Sequence, residues 1–241
     1  MNSAIVLGVG PEEGLGARLA VRFAKLGLHV FVAGRTPSKV AVIAAQINAA
    51  GWTATPMATD ATSETDVIAV FDAAEEAGPI EVAVYNAGNN SAGRIKDMDA
   101  SYFEASWRVC CFGGFLFGRE TARRMTDKVH NCTLLFTGAS ASLRGKANFG
   151  AFNSSKGALR NFAQALAKEC GPEGLHVAHV VVDGPIAGEK IKLGLPEYAQ
   201  KLGVEGMIDL EGIVDAYEYL YKQPRQAWSF ELDVRTSVER W

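Results

Sequence analysis

Cysteine is scarce and badly spaced for metal or disulfide work. Cys110, Cys111, Cys132 and Cys170 form no C-x-x-C pair and match no zinc spacing. Four thiols in 241 residues do not make a disulfide framework, which points to a reducing compartment. Histidine is as rare. His176 and His179 stand three apart in a strand-like run, hence on opposite faces, while His29 and His130 are isolated, so no metal site is expected. Basic charge has no surplus either: 24 Lys and Arg against 27 Asp and Glu leave a formal net charge of −3, which excludes counterion-driven binding of nucleic acid. No run approaches the roughly 20 apolar residues that cross a bilayer. The N-terminus, MNSAIVLGVGPEEGLG, lacks a basic region and is interrupted by Glu12 and Glu13, so neither a membrane partner nor a secretory signal is expected and the default location is cytoplasmic.

What is present is 48% hydrophobic residue, 25 glycines and a regular alternation. Short β-branched runs at Ala4–Val9, His29–Ala33, Thr53–Ala58, Glu81–Tyr85, Thr133–Thr137, His176–Val182 and Trp228–Leu232 predict strands. Amphipathic stretches near 14–26, 38–50, 64–77, 99–126, 151–169 and 209–222 predict helices between them. Strands that are apolar throughout belong in a sheet covered on both faces. The expectation is one α/β domain over residues 1–241, a Rossmann-type doubly wound parallel sheet of about seven strands. Two segments break the rhythm: the small, polar 86–98 and a glycine-punctuated insert at 183–208 after the sixth strand. Both fall at carboxyl ends of strands, where such sheets bind ligands, and the insert reads as a substrate loop or as an ordinary surface excursion.

The first strand runs into Gly10-Pro11-Glu12-Glu13-Gly14-Leu15-Gly16 and then an amphipathic helix. A glycine turn at a helix N-terminus presents backbone N–H groups to a diphosphate with no side chains in the way. A purely structural turn is the rival reading. At the end of the second strand, where an acidic residue would grip the ribose of NAD, stands Arg35, a planar donor suited to the extra phosphate of NADP. NADP(H) is therefore favoured over NAD(H), with the charges of Glu12 and Glu13 counting against it.

With these residues in place the chain resembles the short-chain dehydrogenase/reductase family over essentially its whole length. The family's glycine pattern corresponds to Val9-Gly10 through Gly14, Leu15 and Gly16. Asp60 falls at the adenine-contacting aspartate, and Asn86-Ala87-Gly88 matches the Asn-Ala-Gly signature of the cofactor pocket. The resemblance also implies a Tyr-x-x-x-Lys pair, in which the lysine holds the nicotinamide ribose and lowers the tyrosine pKa for proton transfer. Lys156 keeps the lysine position, but Phe152 occupies that of the tyrosine and has no proton to give. The serine position falls at Ala139, with Ser140 adjacent as a candidate replacement; the asparagine of the fourth helix becomes Cys110. Gly184 and Ile186 follow the sixth strand at the cofactor's far end, and the usual threonine there is Gly188. The alternative tyrosine position of the enoyl-reductase branch is Phe149.

Three readings remain open on sequence. The chain is an NADP(H)-dependent oxidoreductase whose proton comes from water, Ser140, Ser154 or Tyr198; or a non-catalytic NADP(H) binder; or an oligomeric scaffold. The family resemblance further implies a dimer or tetramer through the fourth and fifth helices, with the tail ending at Trp241 joining the interface.

Overall fold

The computed structural model describes residues 1–126 and 132–239, so His130 and Trp241 lie outside the described residues. Seven strands, β1 (Ser3–Leu7), β2 (His29–Gly34), β3 (Ala54–Ala58), β4 (Ile80–Tyr85), β5 (Cys132–Thr137), β6 (Leu175–Asp183) and β7 (Glu231–Arg235), form one sheet in the order β3-β2-β1-β4-β5-β6-β7. Every pairing is parallel. Successive residues of a strand point to opposite faces. Ala4 and Val6 accordingly pack with α1 (Leu15–Lys25), α2 (Pro37–Ala49) and α9 (Leu210–Tyr221). Ile5 and Leu7 pack with α3 (Glu64–Ala77), α5 (Gly113–Met125) and α6 (Gly150–Cys170) on the other side. The strand order reverses direction at β1 and β4, which places a crevice beyond the carboxyl ends of those two strands.

Local chemistry sets the helix ends. Ser63, Asp99 and Asp209 cap α3, α4 (Ala100–Trp107) and α9 by accepting backbone N–H bonds. α1 is different: its N-cap is Gly14, which has no side chain to offer.

Two expectations are corrected. The single helix predicted over 99–126 is α4, a π-helical turn at Arg108–Phe112, and α5. The widening coincides with the Tyr85 hydroxyl, which reaches in from β4 and donates to the Val109 carbonyl at 2.5 Å. Beyond the turn, glycines serve as notches. A Cβ on Gly113 would stand 2.3 Å from the Tyr85 oxygen, one on Gly114 2.5 Å from Leu159, and one on Gly118 2.9 Å from Phe162. The seventh strand is not at Trp228–Leu232 but at Glu231–Arg235. Trp228 instead stacks on His176 with ring centroids 4.9 Å apart, and Ser229 N–H is held by Gln223 at 2.8 Å, so the apolar residues are used in packing before the ladder begins. The insert contains two short helices, α7 (Glu189–Lys192) and α8 (Pro196–Leu202).

Candidate active site

At the nucleotide end, β1 leads into a turn that its own backbone crowds. Gly8 has φ +105°, and a Cβ there would lie 2.4 Å from Ala87 N; at Gly16 one would meet the Gly8 carbonyl at 2.8 Å, and at Gly34 the Val9 carbonyl at 2.3 Å. Gly10 has open space around it instead. Behind it, α1 opens at Leu15 with no side-chain cap and no acidic residue in its first turn, leaving its N–H groups for an anion. Glu12 and Glu13 are drawn elsewhere. Glu12 accepts from Gln46 at 2.6 Å, and Glu13 pairs with Arg18 at 3.3 Å. A cavity of about 190 Å³ lies between the Gly10–Glu12 turn, Ser38, Lys39 and Glu189. Arg35 is exposed directly after β2 and is not among the residues that line the cavity. These features fit an adenosine diphosphate group.

Asp60 stands apart from this cavity. Its carboxylate accepts from the Thr62 backbone and hydroxyl at 2.8 and 2.9 Å, forming a turn ahead of α3.

Asn86 joins the two halves of the crevice. Its Nδ2 donates to the Gly8 carbonyl at 3.0 Å, so its Oδ1 accepts from Thr137 Oγ1 at 2.9 Å. With that hydroxyl proton committed, Thr137 accepts from the buried Tyr217 hydroxyl at 2.6 Å. Burial pushes the Tyr217 phenol well above its ordinary pKa, so it stays a neutral donor. Ala87 packs under Gly8, and Gly88 is exposed above Lys156 and Cys110.

The reaction end centres on the same Thr137. Its carbonyl accepts from Lys156 Nζ at 2.6 Å. Lys156 is 4% exposed, and burial lowers its pKa, with Cys110 acting weakly the other way. The Phe152 ring lies 5.9 Å from Nζ. Ala139 begins a 3₁₀ turn at Ser140–Ser142 and donates its N–H to Ser142 Oγ at 3.2 Å. Ser140 is half-buried, whereas Ser154 is bonded back to Gly150 O within α6 and Tyr198 is exposed on α8. The structure thus gathers Gly10, Gly14, Gly16, Asn86, Gly88 and Lys156 at one crevice. Gly184 and Ile186 follow the end of β6, and Ile186 bridges Ile208.

Several residues were invisible to sequence reasoning. Thr137 and Tyr217 gave no signal, because their contact spans 80 positions. Glu189 N–H donates to the Glu13 carbonyl at 2.9 Å, closing the insert onto the glycine turn; only Gly188, where a Cβ would lie 2.6 Å from that carbonyl, hinted at it. Asp183 is buried and accepts from Arg144 at 3.1 Å through both oxygens. His179, with no exposed surface, pairs with Glu231, which Arg160 also grips at 2.6 and 2.9 Å. Burial lowers the His179 pKa to about 4. Among the described residues no cluster of three His, Cys, Asp or Glu side chains is placed to hold a metal, and no helix is long and apolar enough to cross a membrane.

The chain and its fold are similar to those of known proteins. Sorbitol-6-phosphate 2-dehydrogenase of Escherichia coli is 31% identical over 209 residues, covering 85% of this chain and 80% of its own. An uncharacterized oxidoreductase of Bacillus subtilis, YuxG, is 30% identical over 190 residues, 78% of this chain; the match spans only 28% of that longer protein. The crystal structure of a short-chain dehydrogenase from Rhodopseudomonas palustris superposes with a TM-score of 0.81 at 35% identity, covering 97% of this chain and 98% of that one. The family model for short chain dehydrogenase runs from residue 4, in the first strand, to residue 189, where the insert meets the glycine turn. This chain belongs to the short chain dehydrogenase family.

Proposed function

We propose that the chain is an NADP(H)-dependent oxidoreductase acting on a small carbonyl or alcohol, or another activated substrate, with an atypical proton donor. The observation that carries this reading is the combination of an uncapped α1 N-terminus, the open space at Gly10 and the adjoining cavity. Gly10, Gly14, Leu15 and Gly16 would hold the diphosphate. Arg35, with Ser38 and Lys39, would take the 2′-phosphate, and Lys156 would hold the nicotinamide ribose. The nicotinamide, when bound, supplies or accepts a hydride. The chain's own contribution is placement: Asn86, Thr137 and Tyr217 fix the turn relative to β5, and Thr137 fixes the lysine.

Phe152 and Ala139 leave the reaction end without the phenol and hydroxyl of the resemblance. Losing a positioned general acid costs about 10²–10⁴-fold in rate, which an acceptor needing little protonation tolerates. Ser140, half-buried beside Ala139, is the serine closest in sequence to the vacated position. The same two residues favour the second reading, a protein that binds NADP(H) without turning it over.

Parallel titrations with NADPH and NADH, followed by nicotinamide fluorescence, test the reading. Micromolar NADPH binding with much weaker NADH binding supports it; no binding of either nucleotide removes it. The reading includes a cytoplasmic protein that self-associates through α4, α5 and α6. Exposed Phe103, Trp107 and Phe115 form the apolar strip on the first two of these, and sedimentation velocity reads the assembly directly.

A further inference from the structure

Lys156 is a buried amine without the partner a buried cation requires. It is 96% removed from solvent by its 4% exposure, and among the described residues it makes no ion pair; its one hydrogen bond goes to a neutral carbonyl. The titratable groups that act on it are Cys110 and His179, neither of them a carboxylate. Phe152 lines its approach where a phenol would have shared its proton. A burial of this kind favours the uncharged form. The amine is nevertheless close to an opening. Gly88 is exposed, and a Cβ built on it would sit 3.6 Å from Nζ and 3.7 Å from Cys110 Sγ, so the nitrogen lies directly beneath a solvent-exposed glycine at the crevice.

We propose that Lys156 is a carbonyl-reactive amine that forms a reversible imine with a small aldehyde or ketone entering beside Gly88. The Nζ lone pair adds to the carbonyl carbon to give a carbinolamine. Both amine protons then leave with the carbonyl oxygen as water, and a C=N bond replaces C=O; hydrolysis reverses every step, with no change of oxidation state. The Phe152 ring excludes water from the amine and so favours the dehydrated product, and the Cys110 thiol is placed on the same side to deliver the proton that water loss needs. This activity needs no nucleotide, and it competes with the redox reading for the same amine.

The test is reductive trapping on the intact wild-type protein. Propanal and sodium cyanoborohydride are added at pH 7, and the rate of propylation at each lysine is read by peptide mass mapping. Lys201, exposed on α8, is the internal standard. The expected result is that Lys156 is alkylated about tenfold faster than Lys201 at pH 7, the advantage shrinking towards pH 10, where ordinary lysines also lose their protons. Alkylation of Lys156 at the rate of Lys201 or slower overturns the proposal. A fluorescence titration with NADPH on the same preparation reports the redox reading separately, so either idea fails without the other.

Discussion

At the nucleotide end of the crevice, Gly8, Gly16 and Gly34 are demanded by the backbone atoms they touch, whereas at the reaction end Ala139, Phe152 and Cys110 stand where chemistry, not packing, chooses the residue. The first region is over-determined: a side chain at any of its three glycines collides with the chain itself. In the second, Phe152 and Ala139 are only half-buried, so the fold does not demand a phenol or a hydroxyl at either position. On the proposed reading, the chain keeps a cofactor cradle while the positions of its proton-transfer groups differ.

The largest expected break of this contrast is Gly8→Ala, which meets Ala87 N at 2.4 Å and an unfavourable φ of +105°. Urea denaturation should show a loss of about 3 kcal/mol or more. Gly10→Ala, in open space, should change stability by less than about 0.5 kcal/mol while weakening NADPH binding. Stability intact and binding intact in that variant would remove Gly10 from the cradle.

Acid probes the reaction end from beneath. Burial, with Lys156 and Arg160 adding repulsion, holds His179 down to about 4 against the attraction of Glu231, below the ordinary histidine value near 6.5. Between those values the unfolded chain binds the extra proton, so stability should fall by about 2–3 kcal/mol as pH drops from 6.5 to 4. His179→Gln should flatten that slope; an unchanged slope would assign it to other groups.

Next in size is Arg35→Ala, expected to weaken NADPH binding about tenfold and NADH binding little, as loss of one charged hydrogen-bond donor implies. Equal losses for both nucleotides would end the assignment to the 2′-phosphate. Tyr217→Phe removes the donor to Thr137 and should cost about 1 kcal/mol of stability, with a parallel loss of NADPH affinity because the Asn86 bond to Gly8 loosens. Smallest of all is Phe152→Tyr. It alone should not restore strong reduction of simple ketones, since Ala139 and Cys110 remain; a large gain would show the remaining machinery to be complete.

Six of the seven strands were legible in the sequence because each is a short apolar run bounded by turn residues, a pattern local to itself even at the half-exposed edge strand β3. β7 was misplaced because Trp228 and Phe230 owe their character to stacking on His176 and His179, not to the ladder. The π turn escaped notice because apolar periodicity runs straight through 99–126, and the Tyr85 bond to Val109 comes from another strand. At the site, the glycine turn, Asn86 and Lys156 could be read because their spacing along the chain is their meaning. The Thr137–Tyr217 bond and the closure of Glu189 on Glu13 join distant segments and leave no pattern in either.

The π turn at Arg108–Phe112 also sets a phase. It holds one residue more than an α-helix would need over the same arc, and each residue turns a helix by about 100°. Removing one residue there would close the turn to an ordinary α-helix over the same arc and leave Gly113, Gly114 and Gly118 facing Tyr85, Leu159 and Phe162. The turn is thus a stretch of this helix whose length can shorten by one residue without rotating α5, and what such a deletion gives up is the widened backbone that receives the Tyr85 hydroxyl.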